Sequence, residues 1–152
     1  MEPKDLQDYL HKHIPLSAAM GVEVTRTTEY GVTLRAPLAP NINHRDTVFG
    51  GSASSLAILA AWSLVHIRLR RTGVASRIVI QRNTTDHDLP IDGAFTARSS
   101  IQNPQDWERF LKTLEKRGRA RLTVDALLQL EGAVAGRFQG EFVAMIPGPN
   151  QI

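Results

Sequence analysis

The sequence contains no cysteine among its 152 residues. A chain without thiols forms no disulfide, no zinc–thiolate site and no iron–sulfur cluster, and it has no cysteine nucleophile. Aromatic residues are also scarce, at 6% of the chain, and they do not alternate with basic residues as in proteins that stack nucleic-acid bases. We therefore expect no metal centre, no cofactor and no nucleic-acid partner.

The N-terminal region lacks the pattern of a secretory signal. Glu2, Asp5 and Asp8 stand where a signal peptide has a basic segment followed by an apolar one. The longest apolar stretch, residues 53–67, is interrupted by serines and a histidine, and it is shorter than the roughly 20 residues that span a membrane. These features predict a cytoplasmic protein without a membrane partner.

Acidic residues are missing from one long segment of the chain. The sequence has 18 Lys+Arg and 15 Asp+Glu, a net charge of +3. Residues 47–85 contain no Asp or Glu but five arginines: Arg68, Arg70, Arg71, Arg77 and Arg82. Guanidinium groups bind phosphate in a planar, bidentate manner, so this segment suits a phosphorylated ligand. A solvent-exposed face with a bias toward arginine explains it equally well.

Three segments have the apolar spacing of helices. Residues 3–14 predict an amphipathic helix that Pro15 ends. Residues 50–71 are apolar nearly all the way round, which predicts a central helix buried on every side. Residues 104–117 predict a third helix, because Asn103 is a capping residue and an apolar stripe follows it.

Alternating apolar residues predict six strands, at residues 22–28, 31–36, 75–85, 94–101, 119–130 and 134–144. The order of elements indicates a single α+β domain over residues 1–152, in which an antiparallel sheet wraps around the central helix. Such a sheet leaves its edge strands uncovered, and a second subunit paired edge to edge would cover one of them. We therefore expect a dimer.

The segment that opens the central helix resembles the site loop of hotdog-fold thioesterases, and most closely the thioesterase family similar to the C-terminal domain of YiiD. It reads Asn43-His44-Arg45-Asp46-Thr47-Val48-Phe49-Gly50-Gly51-Ser52. Three further features fit the same family: Trp62 within the apolar helix, the strand Ile78-Val79-Ile80, and the turn at Leu89-Pro90.

The resemblance implies a hotdog protein, homodimeric or tetrameric, that acts on acyl thioesters of coenzyme A or acyl carrier protein. The paired glycines let a ligand approach the first helical turn, whose N–H groups have no partner inside the helix and could bind a thioester carbonyl. We predict substrate contacts from five residues, Phe49, Gly50, Gly51, Ser52 and Ser55. We predict catalytic roles for Asn43 and Asp46, which would position a water molecule.

The sequence departs from the pattern of many hotdog thioesterases, N-x-x-G-x-x-H-G-G followed by an acidic residue in the helix. Asn43 matches, but Asp46 occupies the glycine position and Phe49 the histidine position. Ile58 stands where the acidic residue is expected. Either the base for hydrolysis comes from elsewhere, or the protein is a non-catalytic module that binds acyl-CoA. A hotdog dehydratase fits less well, because the helix offers no carboxylate next to a histidine.

Several residues are candidates for the missing base. Asp46 is one, although a turn-forming aspartate is an equally good interpretation. His44 is another, but a loop histidine is usually inert. The run 86–88, Asp-His-Asp, resembles a metal or acid–base cluster. Solvation of a turn is the better interpretation of that run, because its three side chains alternate sides of a strand.

Overall fold

The computed structural model describes residues 1–148. Its helices are α1 (Pro3–His13), α2 (Pro15–Ala19), α3 (Gly50–Thr72) and α4 (Pro104–Arg117), with a short 3-10 turn at Ala39–Asn41. Its strands are β1 (Glu23–Thr27), β2 (Val32–Ala36), β3 (Arg77–His87), β4 (Phe95–Ser100), β5 (Arg119–Leu130) and β6 (Ala133–Met145).

The six strands form one sheet in the order β1-β2-β4-β5-β6-β3, and every neighbouring pair is antiparallel. The inward side chains of the sheet alternate with exposed ones and pack against α3, so the sheet wraps around that helix. This arrangement confirms the predicted α+β hotdog fold. β1 and β3 are the two edges of the sheet within the described chain.

Helix α3 packs its apolar residues against the sheet, with Leu56, Ala60 and Leu64 fully buried. The expectation that it is buried on every side is wrong for the single chain, because one stripe stays partly open. The stripe runs at helical spacing along the side of α3 and consists of Gly51, Ser55, Ile58, Trp62 and His66. By length and composition α3 could cross a membrane, but core helices pass the same test, and most of its apolar stretch is buried.

Two predicted boundaries differ from the structure in a way that affects the site. The first helix ends at His13, and Pro15 opens the short helix α2, because proline suits the first position of a new helix. Strand β3 continues past residue 85 to His87. Its backbone stays paired with β6 as far as the partners His87 and Gly136, and an edge strand needs no apolar side chains to maintain that ladder.

Helix α4 confirms its predicted bounds and its predicted cap. The Oδ1 atom of Asn103 accepts a hydrogen bond from the N–H of Gln105 at 3.0 Å, Pro104 occupies the first turn, and Gly118 ends the helix with φ 74°. The helix buries Trp107, and the guanidinium of Arg68 from the end of α3 lies 4.4 Å from the centre of the indole.

Candidate active site at the start of α3

The loop that leads into α3 is anchored by Asn41, which is only 2% exposed. Its Nδ2 atom donates hydrogen bonds to the carbonyl oxygens of Met20 at 2.9 Å and Pro37 at 2.8 Å. The backbone carbonyl oxygen of Asn41 accepts a hydrogen bond from the N–H of Phe49 at 2.8 Å. Asn41 therefore fixes the residue that precedes the helix, a role that the sequence pattern alone does not indicate.

Asn43 folds the next part of the loop onto itself. Its Oδ1 atom accepts hydrogen bonds from the N–H groups of Arg45 at 2.8 Å and Thr47 at 3.2 Å, and its Nδ2 atom donates to the hydroxyl of Thr47 at 2.9 Å. An amide has two donor hydrogens and one acceptor oxygen, so these bonds occupy most of its capacity. The structure thus shows Asn43 organising the loop, and its direct contact with a water molecule stays a prediction.

Asp46 occupies a turn within this loop. Its backbone has φ 61°, in the left-handed region that aspartate tolerates better than most residues. Its N–H donates to the carbonyl of Asn43 at 3.3 Å, and its side chain is exposed. Within residues 1–148 no hydrogen bond or ion pair joins its carboxylate to α3. The geometry therefore supports the turn-forming interpretation, and the catalytic role of Asp46 stays a prediction.

Helix α3 begins without a side-chain cap. Phe49 holds the capping position, and its carbonyl accepts hydrogen bonds from the N–H groups of Ser52 at 2.9 Å and Ala53 at 3.1 Å. The N–H groups of Gly50 and Gly51 donate to no acceptor in the described part of the chain, and the first turn contains no acidic residue. Two free donors at the positive end of a helix dipole are suited to a carbonyl oxygen or an oxyanion.

The ring of Phe49 lies across the first turn of the helix. A Cβ atom at Gly51 would collide with the ring carbons of Phe49, so the absence of a side chain at residue 51 is what admits the ring. Phe49 is 58% exposed, which leaves an apolar plate beside the free donors. The hydroxyls of Ser52 and Ser55 are half-buried on the same helix and make no hydrogen bond among residues 1–148.

The end of β3 brings a further side chain to the helix start. The imidazole of His87 lies beside Gly50: its Cε1 atom is 3.6 Å and its Nε2 atom 3.8 Å from the position that a Cβ of Gly50 would occupy. Asp88 instead pairs with Arg137 at 3.1 Å. The alternation of residues 86–88 is visible in the sequence, but the contact between their histidine and residue 50 depends on the fold and was not predicted.

The far end of the open stripe carries an aromatic stack. The ring of His66 packs against those of Tyr9 and Trp62, with centroids 4.7 Å from each, and the latter two centroids are 6.2 Å apart. Burial, together with the smaller effects of the positive charges of Arg70 and His13, lowers the pKa of His66 to about 4. His66 is therefore neutral at physiological pH. Because Trp62 also donates its indole N–H to the carbonyl of Ile78 at 3.2 Å, the stripe is tied to β3.

A second concavity, of about 650 Å³, lies on the other face of the sheet. Its lining alternates basic and acidic side chains, among them Arg98, Asp125 and Arg137. These residues point away from α3, because their strand neighbours are the ones buried against the helix. The concavity is thus separate from the free N–H groups of α3. We place the candidate site at the helix start, where these N–H groups lie close to the ring of Phe49 and the imidazole of His87.

The model of a family described as "Putative thioesterase (yiiD_Cterm)" matches residues 3–146. A solved "putative thioesterase" from Shewanella oneidensis is 25% identical, with a TM-score of 0.83, and the match covers 95% of this chain and 97% of that one.

Two other solved structures show the same fold. A protein of unknown function from Chlorobaculum tepidum is 25% identical, with a TM-score of 0.88 over 95% of this chain and 94% of that one. A thioesterase from Haemophilus influenzae is 14% identical, with a TM-score of 0.79 over 99% of this chain and 95% of that one.

Proposed function

Because the chain belongs to the YiiD C-terminal thioesterase family, we propose that it hydrolyses acyl thioesters of coenzyme A or acyl carrier protein at the start of α3. One observation carries this proposal: α3 begins with no cap, and the N–H groups of Gly50 and Gly51 are left without acceptors among residues 1–148. A thioester carbonyl bound there would gain stronger hydrogen bonds as attack by water turns it into an oxyanion.

The residues around these donors have separate roles in the proposal. The ring of Phe49 shields the carbonyl from bulk water, which strengthens the hydrogen bonds to it. Ser52 and Ser55 offer free hydroxyls along the path of the bound thioester. Asn43 holds the loop in shape, so we treat it as a positioning residue.

The predicted role of Asp46 has a clean test. Asn tolerates the left-handed backbone as Asp does, so Asp46→Asn keeps the turn and removes only the carboxylate charge. A fall in kcat without a fall in thermal stability would support a catalytic carboxylate. Unchanged kcat would show that Asp46 only forms the turn.

The proposed working unit is a dimer, or a tetramer built from dimers, that is joined along β3. This strand is 11 residues long, its outer edge has no partner strand within the described chain, and Val79 on it is 49% exposed. A long open edge presents unpaired N–H and C=O groups that another chain can pair with. The half-open stripe of α3 adjoins this edge through the bond from Trp62 to Ile78, so a second copy seated there would cover both.

The oligomeric state is measured directly by light scattering after size-exclusion chromatography. The monomer mass is 16.8 kDa, so a dimer and a tetramer are readily distinguished. A lysine on an edge strand opposes pairing, so we expect Val79→Lys to shift the protein toward monomer. Thr123→Lys adds the same charge at an exposed position on β5, an inner strand of the sheet, so it distinguishes a dimer edge from a general effect of added charge. A wild-type protein that is monomeric at micromolar concentration would contradict this part of the proposal.

The activity is tested by following release of free thiol from acyl-CoA substrates of increasing chain length, and from acyl carrier protein loaded with the same acyl groups. The protein has no cysteine, so a thiol reagent reports the product alone. We expect turnover that depends on chain length. No turnover above background with any substrate, on protein that melts cooperatively, would refute hydrolysis.

A non-catalytic acyl-CoA binding module is the second candidate. The observation that favours it is Ile58 on the open stripe of α3, at the position where many hotdog thioesterases carry a carboxylate. This candidate predicts that acyl-CoA raises the melting temperature, by the stabilisation RT ln(1 + [L]/Kd), without any release of thiol. The same samples therefore discriminate the two functions.

A further inference from the structure

The strand register places His87 on the side of the sheet that packs against α3. His87 pairs with Gly136 on β6, and Gly136 in turn pairs with Leu128 on β5. Leu128 is buried in the core, and directly paired residues project to the same face of a sheet. The imidazole of His87 therefore projects inward, at the point where β3 ends and α3 begins.

One glycine leaves room for this imidazole. Gly50 carries no side chain in front of it, and the ring lies within ordinary contact distance of where a Cβ atom would be. Gly136, the partner of His87, has a different effect: a Cβ there would meet the carbonyl oxygen of Asp86 at 2.8 Å, so this glycine allows the backbone of β3 to come close to β6. The ring of His87 thus stands next to the backbone that bears the free N–H groups, with no side chain of residue 50 in between.

The charges around His87 leave its ring nitrogens available. Asp86 precedes it and Asp88 follows it, but both carboxylates lie toward Arg137 on the opposite face of the sheet. The side chain of His87 is exposed and makes no hydrogen bond within residues 1–148. From α3 it faces no acidic residue, only the positive end of the helix.

We propose that His87 is the catalytic base of this site, an inference that rests on the proposed function. The neutral imidazole takes a proton from a water molecule while the water oxygen bonds to the thioester carbon. The carbonyl π electrons move to oxygen, where the N–H groups of Gly50 and Gly51 receive the charge. The oxyanion then re-forms the C=O bond, the C–S bond breaks, and the imidazolium returns its proton to the leaving thiolate. The products are a carboxylic acid and a free thiol.

This assignment accounts for a sequence that has Ile58 in place of the usual acidic residue. Imidazole is the side chain whose proton exchange suits catalysis near neutral pH. His87 reaches the helix start from strand β3, so the site has a base although the first turn of α3 contributes no carboxylate. Asp46, by comparison, makes no hydrogen bond or ion pair to α3 within residues 1–148 and lies in an exposed turn.

The test compares His87→Gln with wild type on the best acyl-CoA substrate. We expect kcat to fall about 100-fold or more, with KM little changed, because general-base catalysis typically contributes 10²–10⁴-fold. The acidic limb of the pH profile of kcat/KM, followed through the ultraviolet absorbance of the thioester, should disappear. Imidazole added to His87→Ala should restore part of the rate, which a purely structural role would not permit.

His13→Gln is the matched control. It makes the same chemical change on α1, where the ring of His13 lies tilted against that of Tyr9 beside the far end of the stripe, and it should retain wild-type kcat. If wild type turns over and His87→Gln is equally fast, the assignment of His87 is overturned while the proposed function stands. If wild type releases no thiol from any substrate, the proposed function and the role of His87 fall together.

Discussion

The two long helices of this protein begin in opposite ways. Helix α4 starts with a full set of stabilising features: Asn103 caps it, Pro104 occupies its first turn, and Asp106 adds a negative charge. Helix α3 starts with Phe49, which offers no side-chain cap, followed by Gly50 and Gly51. The same chain therefore satisfies the donors of one helix and leaves those of the other free.

The difference separates stability from function. A side-chain cap contributes about 1 kcal/mol to the free energy of unfolding. Helix α3, which forms the centre of the fold, begins without one. Places where a chain departs from a local structural rule that it follows elsewhere are expected at functional sites. The start of α4 therefore serves as an internal reference for the start of α3.

The largest effect is expected when a cap is introduced at α3. In Phe49→Asp the new carboxylate would accept hydrogen bonds from the free N–H groups and compete with the thioester carbonyl. We expect kcat/KM to fall about 100-fold or more, as when an oxyanion donor is lost, and the free energy of unfolding to rise by about 1 kcal/mol. Thiol release and urea denaturation measure the two quantities.

Phe49→Ala is the control for that substitution, because it removes the ring but leaves the donors free. We expect its loss of kcat/KM to be clearly smaller than that of Phe49→Asp. Equal losses in the two variants would mean that the ring of Phe49, and not the free N–H groups, is what the site requires.

The reverse change removes the cap of α4. Asn103→Ala should lower the free energy of unfolding by about 1 kcal/mol, because the N–H of Gln105 loses its acceptor. It should leave kcat/KM unchanged, while Asn103→Asp, which can still cap, should stay close to wild type in both respects. A drop in activity for Asn103→Ala at full folding would show that the two helix starts are not independent.

The sequence predicted the parts of the fold in which local signals agree. Helix α4 and strand β5 were predicted with their observed bounds, because capping residues and strict alternation mark both ends. Strand β3 was predicted two residues too early, at 75–85 instead of Arg77–His87, since the run Asp-His-Asp at 86–88 breaks the apolar pattern. The strand continues because its backbone pairs with β6 whatever its side chains are.

The site was predicted only as far as one contiguous loop reaches. The glycines and Phe49 were found because they adjoin the central helix in sequence. The buried anchor Asn41 was missed, because its burial depends on contacts with Met20 and Pro37. His87 was set aside because its neighbours Asp86 and Asp88 suggested a solvated turn, and only the register with Gly136 shows that its side chain faces the helix start.

The smallest effect concerns the far end of the open stripe of α3. Folding lowers the pKa of His66 from 6.5 to about 4, so between these values the unfolded chain binds a proton that the folded chain does not. The free energy of unfolding should therefore have its full value above pH 6.5, and it should fall as the pH drops toward 4, because the unfolded chain is stabilised by the proton it binds. With a discount for partial exposure, this loss is at most about 1 kcal/mol between pH 7 and 5.

Urea denaturation of wild type and His66→Gln at pH 7 and 5 isolates this contribution, because all other groups titrate in both proteins. Wild type should lose more stability than the variant on acidification. An equal loss in the two proteins would show that His66 takes up its proton as readily in the folded chain as in the unfolded one.

The central claim is that the free donors of α3 bind the thioester carbonyl, and backbone amide NMR tests it most directly. An acyl-CoA ketone analogue, with a methylene group in place of the thioester sulfur, keeps the carbonyl and cannot be hydrolysed. The account predicts that adding it shifts the amide signals of Gly50 and Gly51 strongly, while the capped amide of Gln105 in α4 does not move. Unshifted signals from Gly50 and Gly51 under saturating analogue, with the shifts confined to the outer face of the sheet, would contradict it.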